Sequence, residues 1–209
     1  MTDTRSQFHQ LFGELYLPVM VTVGTIVVLV VLFAVVRYRR SRNREPSRKS
    51  EAPLLESAYA LTIAVILGVL IWATFTAEAK VDKVSSDPGL RVDVTAFKWQ
   101  WRFDYPGQGV PPSIGSDSHH AELVVPVDTV VGFRMTSRDV IHALWIPVAR
   151  FKRDAFPNRY TSFDLVFDRL GTFPGRCAEF CGLEHAGMTL EVRVLAKPAF
   201  DAWLAARRR

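Results

Sequence analysis

Within twelve residues near the C-terminal end of the sequence stand two thiols, an imidazole and a thioether: Cys177, Cys181, His185 and Met188. The run between them shows neither helical nor strand periodicity. Cysteine, histidine and methionine together form the donor set that soft transition metals prefer, copper above all. A single-copper electron-transfer site uses one Cys, two His and a distant Met. With a second Cys inserted, two bridging thiolates can hold two copper ions side by side. The further histidine must then come from elsewhere in the chain, and His142 is placed to provide it. The segment therefore reads as a binuclear copper centre that passes electrons.

Simpler readings exist for each residue alone. Two cysteines facing an oxidising compartment are most often a disulfide, and their separation does not forbid one. A Met after a loop is usually core filling, and an isolated His is usually a surface or hydrogen-bonded residue. A disulfide gives no reason for His185 and Met188 to follow at these intervals, whereas a metal accounts for all four.

Something must position these groups. Leu15 to Val36 and Ser57 to Ala77 contain no charged residue. A helix of the first length spans about 33 Å, enough to cross a bilayer core. A cleaved signal peptide would have a more basic start, a shorter apolar run and a small-residue cleavage site. Here Arg37-Tyr38-Arg39-Arg40 follows instead, so a retained membrane anchor is expected. Arg37, Arg39, Arg40, Arg42, Arg44, Arg48 and Lys49 lie between the two runs against Glu45, Glu51 and Glu56. In a short loop between spans, this basic excess marks the cytoplasmic side. Much of the formal net charge of +5 is thereby a topology signal, and no nucleic-acid partner is drawn from it. The N-terminus and everything after Ala77 are expected outside, with Pro46 to Pro53 a flexible stretch.

From Val81 the pattern changes to alternation of period two. Leu90, Val92 and Val94 begin it, and it is expected to run on through Phe97, Trp99, Trp101, Phe103 and Tyr105. Further strands are expected at 122–127, 130–136, 142–147, 161–167 and 188–195, with turns at 127–128, 137–139, 157–158 and 170–171. Short strands with frequent turns predict a small antiparallel sandwich or barrel. Lys197 to Arg208 has helical spacing, with Phe200, Trp203 and Leu204 on one face. Gly175, Gly182 and Gly187 suggest a tightly wound ligand loop, and Phe180, Leu183 and Phe173 are expected to enclose it.

Two spans, then Lys98-Trp99-Gln100-Trp101, then Asp139-Val140-Ile141-His142, then the Cys177–Met188 segment: in this order the chain resembles subunit II of a bacterial cytochrome c oxidase. The resemblance implies a two-helix transmembrane hairpin (helices at about 15–36 and 57–77, within residues 1–80). An all-β cupredoxin-like sandwich with a short C-terminal helix would follow, over 81–209. It implies the binuclear centre called Cu-A, with two copper ions held by His142, Cys177, Cys181, His185, Met188 and the backbone carbonyl of Glu179. The Glu179 side chain would help bind magnesium at the interface with subunit I, against which Lys152, Asp154 and Arg159 would also lie. Trp99 would take electrons from cytochrome c, and Glu56 would stand at the mouth of a proton-uptake channel in subunit I.

The implied activity is that of a subunit of a respiratory terminal oxidase in the bacterial inner membrane, its copper domain on the periplasmic side. Electrons from cytochrome c would reach the haem of subunit I, where oxygen becomes water and protons are pumped; other oxidase subunits would complete the complex. No Cys-x-x-Cys-His occurs, so a separate donor is expected. Arg176 stands where the family usually has Gln, which would alter the hydrogen bonding around the thiolates. Asn158 stands where Gly is common. Beyond Val81, 17 basic residues face 15 acidic ones, so any acidic dock for a basic cytochrome has to be assembled by folding. A quinol oxidase subunit would lack these copper ligands, and a nitrous-oxide-reducing enzyme would carry a second domain. The alternative from another class is a membrane-tethered copper carrier or assembly protein, which would need an exposed, exchangeable site.

Overall fold

The computed structural model describes residues 10–39, 51–82, 84–116 and 119–208. Most of the basic loop between the apolar runs, and with it Arg40, Arg42, Arg44, Arg48 and Lys49, lies outside the described residues. The chain divides into two units, one of Ser6–Lys80 and one containing Val81–Arg209.

In the first unit, a π-helical turn (Leu11–Tyr16) runs into helix α1 (Leu17–Arg37), and helix α2 spans Pro53–Val81. Both helices are long and apolar enough to cross a membrane, and none of their apolar windows is buried within the protein. Such a surface suits lipid or neighbouring helices, since it would expose a large apolar area to water. The expected helices stop short of the observed ones. Helix α2 begins four residues earlier, at Pro53, which fits the first turn of a helix because its missing N–H is not needed there. Glu56 is in that turn, and its Oε1 accepts the Ala52 N–H at 3.0 Å. Tyr16 Oη reaches the Leu70 carbonyl at 3.4 Å, a polar clasp between the two apolar segments.

The second unit is a sandwich of two five-stranded sheets. Its strands are β1 (Leu90–Phe97), β2 (Gln100–Asp104), β3 (Ser113–Ile114), β4 (Ala121–Pro126), β5 (Val131–Ser137), β6 (His142–Ile146), β7 (Phe151–Ala155), β8 (Thr161–Leu165), β9 (Gly171–Cys177) and β10 (Thr189–Leu195). One sheet runs β3-β2-β1-β5-β8 and the other β4-β10-β9-β6-β7. The sheets are mixed, not wholly antiparallel: β1 with β5 and β4 with β10 run parallel. The long alternating stretch is two strands, because a turn at Lys98-Trp99 reverses the chain and pairs Phe97 with Gln100. The turn also changes the buried phase. Val92, Val94 and Ala96 point inward before it; Trp101, Phe103 and Tyr105 do so after it. Trp99, at the turn, stays half-buried.

Strands β7 and β9 carry little alternation of apolar residues, and β9 contains Pro174 and Gly175. Pro174 is tolerated because β6 pairs with β9 only at Cys177 and Arg176, so no ladder bond is lost on that side. Gly175 is needed for a close approach: a Cβ there would lie 2.9 Å from the Leu190 side chain and 3.1 Å from the Trp145 carbonyl. Helix α3 (Lys197–Arg207) buries Phe200 and Leu204, and Trp203 meets Tyr105 edge-on at 5.3 Å. Its apolar face therefore lies on the sandwich.

Tyr105 is a fixed point of this core. Its hydroxyl accepts the Val124 N–H at 2.8 Å and donates to the Val124 carbonyl at 3.1 Å. Burial, partly offset by the Val124 backbone, pushes its pKa well above the usual phenol range. Tyr105→Phe strands both Val124 groups and is expected to destabilise the domain by about 1–3 kcal/mol. Urea denaturation of the full chain in detergent checks this, and an unchanged midpoint would contradict it.

Candidate metal centre

One end of the sandwich gathers the donor groups. His142 opens β6 and is fully buried; Cys177 closes β9 opposite Leu144, one strand over. The 177–188 loop then leads to β10. Its base is pinned, since Cys177 N–H donates to the Met188 carbonyl at 2.9 Å and Ala178 N–H to the Ala143 carbonyl at 3.0 Å. Within the loop, a 3-10 turn at His185–Gly187 turns His185 back toward Cys181. Gly182 has φ +122, and a Cβ there would press on the Trp99 ring at 3.2 Å, so only glycine fits. Of the other two glycines, Gly175 serves strand packing, and Gly187 has open space around it with no positive φ.

Both cysteines are free and buried. Their sulfurs are 3.8 Å apart, nearly twice a disulfide bond. The remaining donors divide between them. His142 Nδ1 is 3.9 Å and the Glu179 carbonyl 3.2 Å from Cys177 Sγ. His185 Nδ1 is 3.5 Å and Met188 Sδ 3.8 Å from Cys181 Sγ. The ligand atoms of His142, Cys177 and Cys181 all lie within 4.8 Å of one another. Each sulfur thus has one imidazole and one weaker donor beside it, and all six donors expected from the sequence lie at this end of the sandwich.

Their surroundings push the two thiols in opposite directions. Burial opposes ionisation of Cys177, but hydrogen bonds from His142, the Ala143 and Glu179 backbone and Cys181 hold its thiol down to about 6. Burial and repulsion from Cys177 push Cys181 up to about 12. The first thiolate is favoured, and the second is resisted by the first. Cations between the sulfurs would remove that resistance, because a coordinating thiol is deprotonated outright.

Sequence reasoning missed Asp139. Its Oδ1 accepts from His142 Nε2 at 2.9 Å and from Val140 N–H at 2.7 Å, and its Oδ2 accepts Lys98 N–H at 2.7 Å. This carboxylate fixes the imidazole so that Nδ1 faces Cys177, as carboxylates behind metal-bound histidines do. It also ties the Trp99 turn to the donor set. The signal was present as Asp three residues before His142, but nothing in the sequence alone brings Lys98 to it. Trp99 completes the link: its Nε1 donates to the Cys181 carbonyl at 3.2 Å.

The expectations about what surrounds the loop are corrected. Phe180 and Leu183 do not enclose the loop, being 79% and 91% exposed. The donors are instead sealed by the sandwich end itself, which leaves these two side chains facing outward. Phe173 packs elsewhere, near Gly171 and the Arg169 guanidinium. Arg176 does not alter the thiolate surroundings, because adjacent strand residues face opposite ways: Cys177 points inward while Arg176 lies outside over the Trp145 ring. Asn158 takes φ +58, the left-handed conformation that Asn tolerates. Lys152 Nζ lies 3.4 Å from Asp154 and 3.7 Å from the Glu179 carboxylate. Glu56 belongs to the other unit and caps its own helix.

Comparison with known proteins agrees with this geometry. Residues 113–195 match the family described as "Cytochrome C oxidase subunit II, periplasmic domain". The chain is 29% identical to cytochrome c oxidase subunit 2 of Cereibacter sphaeroides, over 95% of this chain and 75% of that one. It is 28% identical to a probable cytochrome c oxidase subunit 2 of Streptomyces avermitilis, over 87% and 69%. Among solved structures it resembles the periplasmic domain of subunit II of the Bradyrhizobium japonicum cytochrome oxidase, with a TM-score of 0.55 and 30% identity over 60% of this chain and 97% of that one.

Asp139→Ala frees the His142 ring and the Lys98 turn together. It is expected to weaken metal affinity about ten- to a hundredfold. Competition against a chelator measures this; wild-type affinity in the variant would show that the carboxylate does not hold the ligand.

Proposed function

Because the chain belongs to the cytochrome c oxidase subunit II family, and is thus part of a haem-copper oxidoreductase complex, we propose that its buried donor cluster holds a binuclear copper (Cu-A) centre. The observation that carries this reading is the donor set itself, with one histidine and one weaker donor beside each of two unbonded sulfurs 3.8 Å apart. The donors fit copper: thiolate, imidazole and thioether are its preferred ligands. When bound, such a pair would take up and release one electron at a time, with the charge spread over both metals.

The chain's residues have distinct tasks in this reading. Cys177, Cys181, His142 and His185 would hold the two copper ions through their sulfur and imidazole donors. Met188 and the Glu179 carbonyl are the weak outer donors. The pinned loop base and the strand ends keep these groups still, so little nuclear rearrangement opposes each transfer. Burial of His142, Cys177, Cys181 and Met188 keeps water and competing thiols away. It also argues against a carrier, which must release its ion. Trp99 receives electrons from cytochrome c and hands them on through its contact with the Cys181 carbonyl.

In such a complex the electrons would go on to the haem of subunit I, where oxygen is reduced to water. Glu179 and Asp154 offer carboxylates to a magnesium ion at that interface, but the Lys152 ammonium lies between them. The remaining oxygen ligands would have to come from subunit I. Helices α1 and α2 anchor the chain in the bacterial inner membrane as a two-span hairpin, and the copper domain lies in the periplasm. Glu56, at the charged end of α2, is this chain's candidate at the proton-channel mouth.

Cys177→Ser or Cys181→Ser is expected to abolish the mixed-valence copper absorption, and a variant that kept it would show the bridging assignment to be wrong. Trp99→Phe should leave copper bound while slowing reduction by cytochrome c. Stopped-flow spectroscopy reads the rate, and an unchanged rate refutes the role of the indole.

A further inference from the structure

We propose that Trp101 is a positioning residue for the copper centre, its buried ring setting the tilt of the His142 imidazole. This rests on the reading of the donor cluster as a copper site. Asp139 meets that imidazole at a single atom, Nε2, at 2.9 Å. One hydrogen bond fixes a point on the ring but lets the ring swing about the bond. Trp101 supplies the missing constraint: it meets His142 edge-on, with ring centroids 6.3 Å apart and planes at 63°. Aromatic rings favour such contacts because the positive edge of one faces the negative face of the other. Since Nδ1 is the atom left facing Cys177, the tilt of the ring decides where its lone pair points.

Trp101 is itself held firmly. It pairs with Ala96 across β1 and β2, and the Gly115 N–H donates to its carbonyl at 3.2 Å. The side chain is fully buried. Its Nε1 nonetheless has no hydrogen-bond partner among the described residues, whereas the Trp99 indole has the Cys181 carbonyl. A buried N–H without a partner carries a desolvation cost that a phenyl ring avoids. For folding alone Phe would serve at this position, as it does at Phe103, two residues further along the same buried face. What the indole adds is a wider ring, and the ring that it meets belongs to a copper ligand.

The test uses the full chain in detergent and compares Trp101→Phe with Phe103→Leu. In Trp101→Phe the lost ring volume and the removed N–H act in opposite directions, so the urea midpoint should move little. Its copper affinity, read by competition with a chelator, is expected to fall about tenfold, the lower end for residues that orient a ligand. The nitrogen hyperfine couplings of the bound copper should change in the same variant. Phe103→Leu should do the reverse, lowering the midpoint while keeping wild-type affinity and couplings. Wild-type affinity and couplings in Trp101→Phe would overturn the proposal. Equal changes in both variants would overturn it too, since Trp101 would then act through general packing. The metal-free chain separates this idea from the copper reading. There the His142 Nε2 proton, followed by magnetic resonance with isotope-labelled histidine, should exchange with water faster in Trp101→Phe, and an unchanged rate would contradict the hold on the ring. If the rate rises while the wild type binds no copper pair, the copper reading fails and the contact still positions the imidazole.

Discussion

Two sulfurs held 3.8 Å apart, close enough to repel as thiolates and too far to bond, are the constraint on which the rest of the site depends. Left alone, the pair would keep one proton: Cys177 ionises readily while Cys181 is driven the other way by burial and by its neighbour. The loop does not relieve this by moving, because backbone bonds from Cys177 to Met188 and from Ala178 to Ala143 clamp both its ends. With an imidazole and a weaker donor beside each sulfur, the pocket offers the soft donors that copper prefers.

Around the sulfurs, one carboxylate joins what would otherwise be separate parts. Asp139 orients His142 through one oxygen and holds the Lys98-Trp99 turn through the other. Trp99 then reaches the Cys181 carbonyl and lies against Gly182, where no side chain is possible. The indole at the surface and the sulfurs in the interior thus belong to one hydrogen-bonded frame carried by β1, β2, β6 and the ligand loop. A path for electrons needs such continuity, because both ends must keep their geometry while partners come and go.

How much of this could be read from the residues depends on whether the signal was local. The ligand loop, with four donor side chains of three types in twelve residues, was legible because its chemistry is written in one segment. The apolar spans and α3 were legible from composition and period. Strand β9 was not, since Pro174 and Gly175 resemble a turn unless it is known that β6 covers only the last residues of the strand. The hairpin at Lys98-Trp99 was hidden because aromatic residues continue across it, although the buried phase shifts there. Parallel pairing of β1 with β5, the bridging by Asp139 and the outward facing of Phe180 and Leu183 are long-range facts. They follow from which strands meet, and no spacing along the chain encodes them.

Whether the sulfurs of Cys177 and Cys181 share two metals decides what this domain does. Electron spin resonance of the full chain, taken together with its copper content after reconstitution, asks this directly. The account predicts two tightly held copper ions per chain and the hyperfine pattern of one electron spread equally over two copper nuclei. One copper with the pattern of a single nucleus, or none with the sulfurs joined to each other, would contradict it.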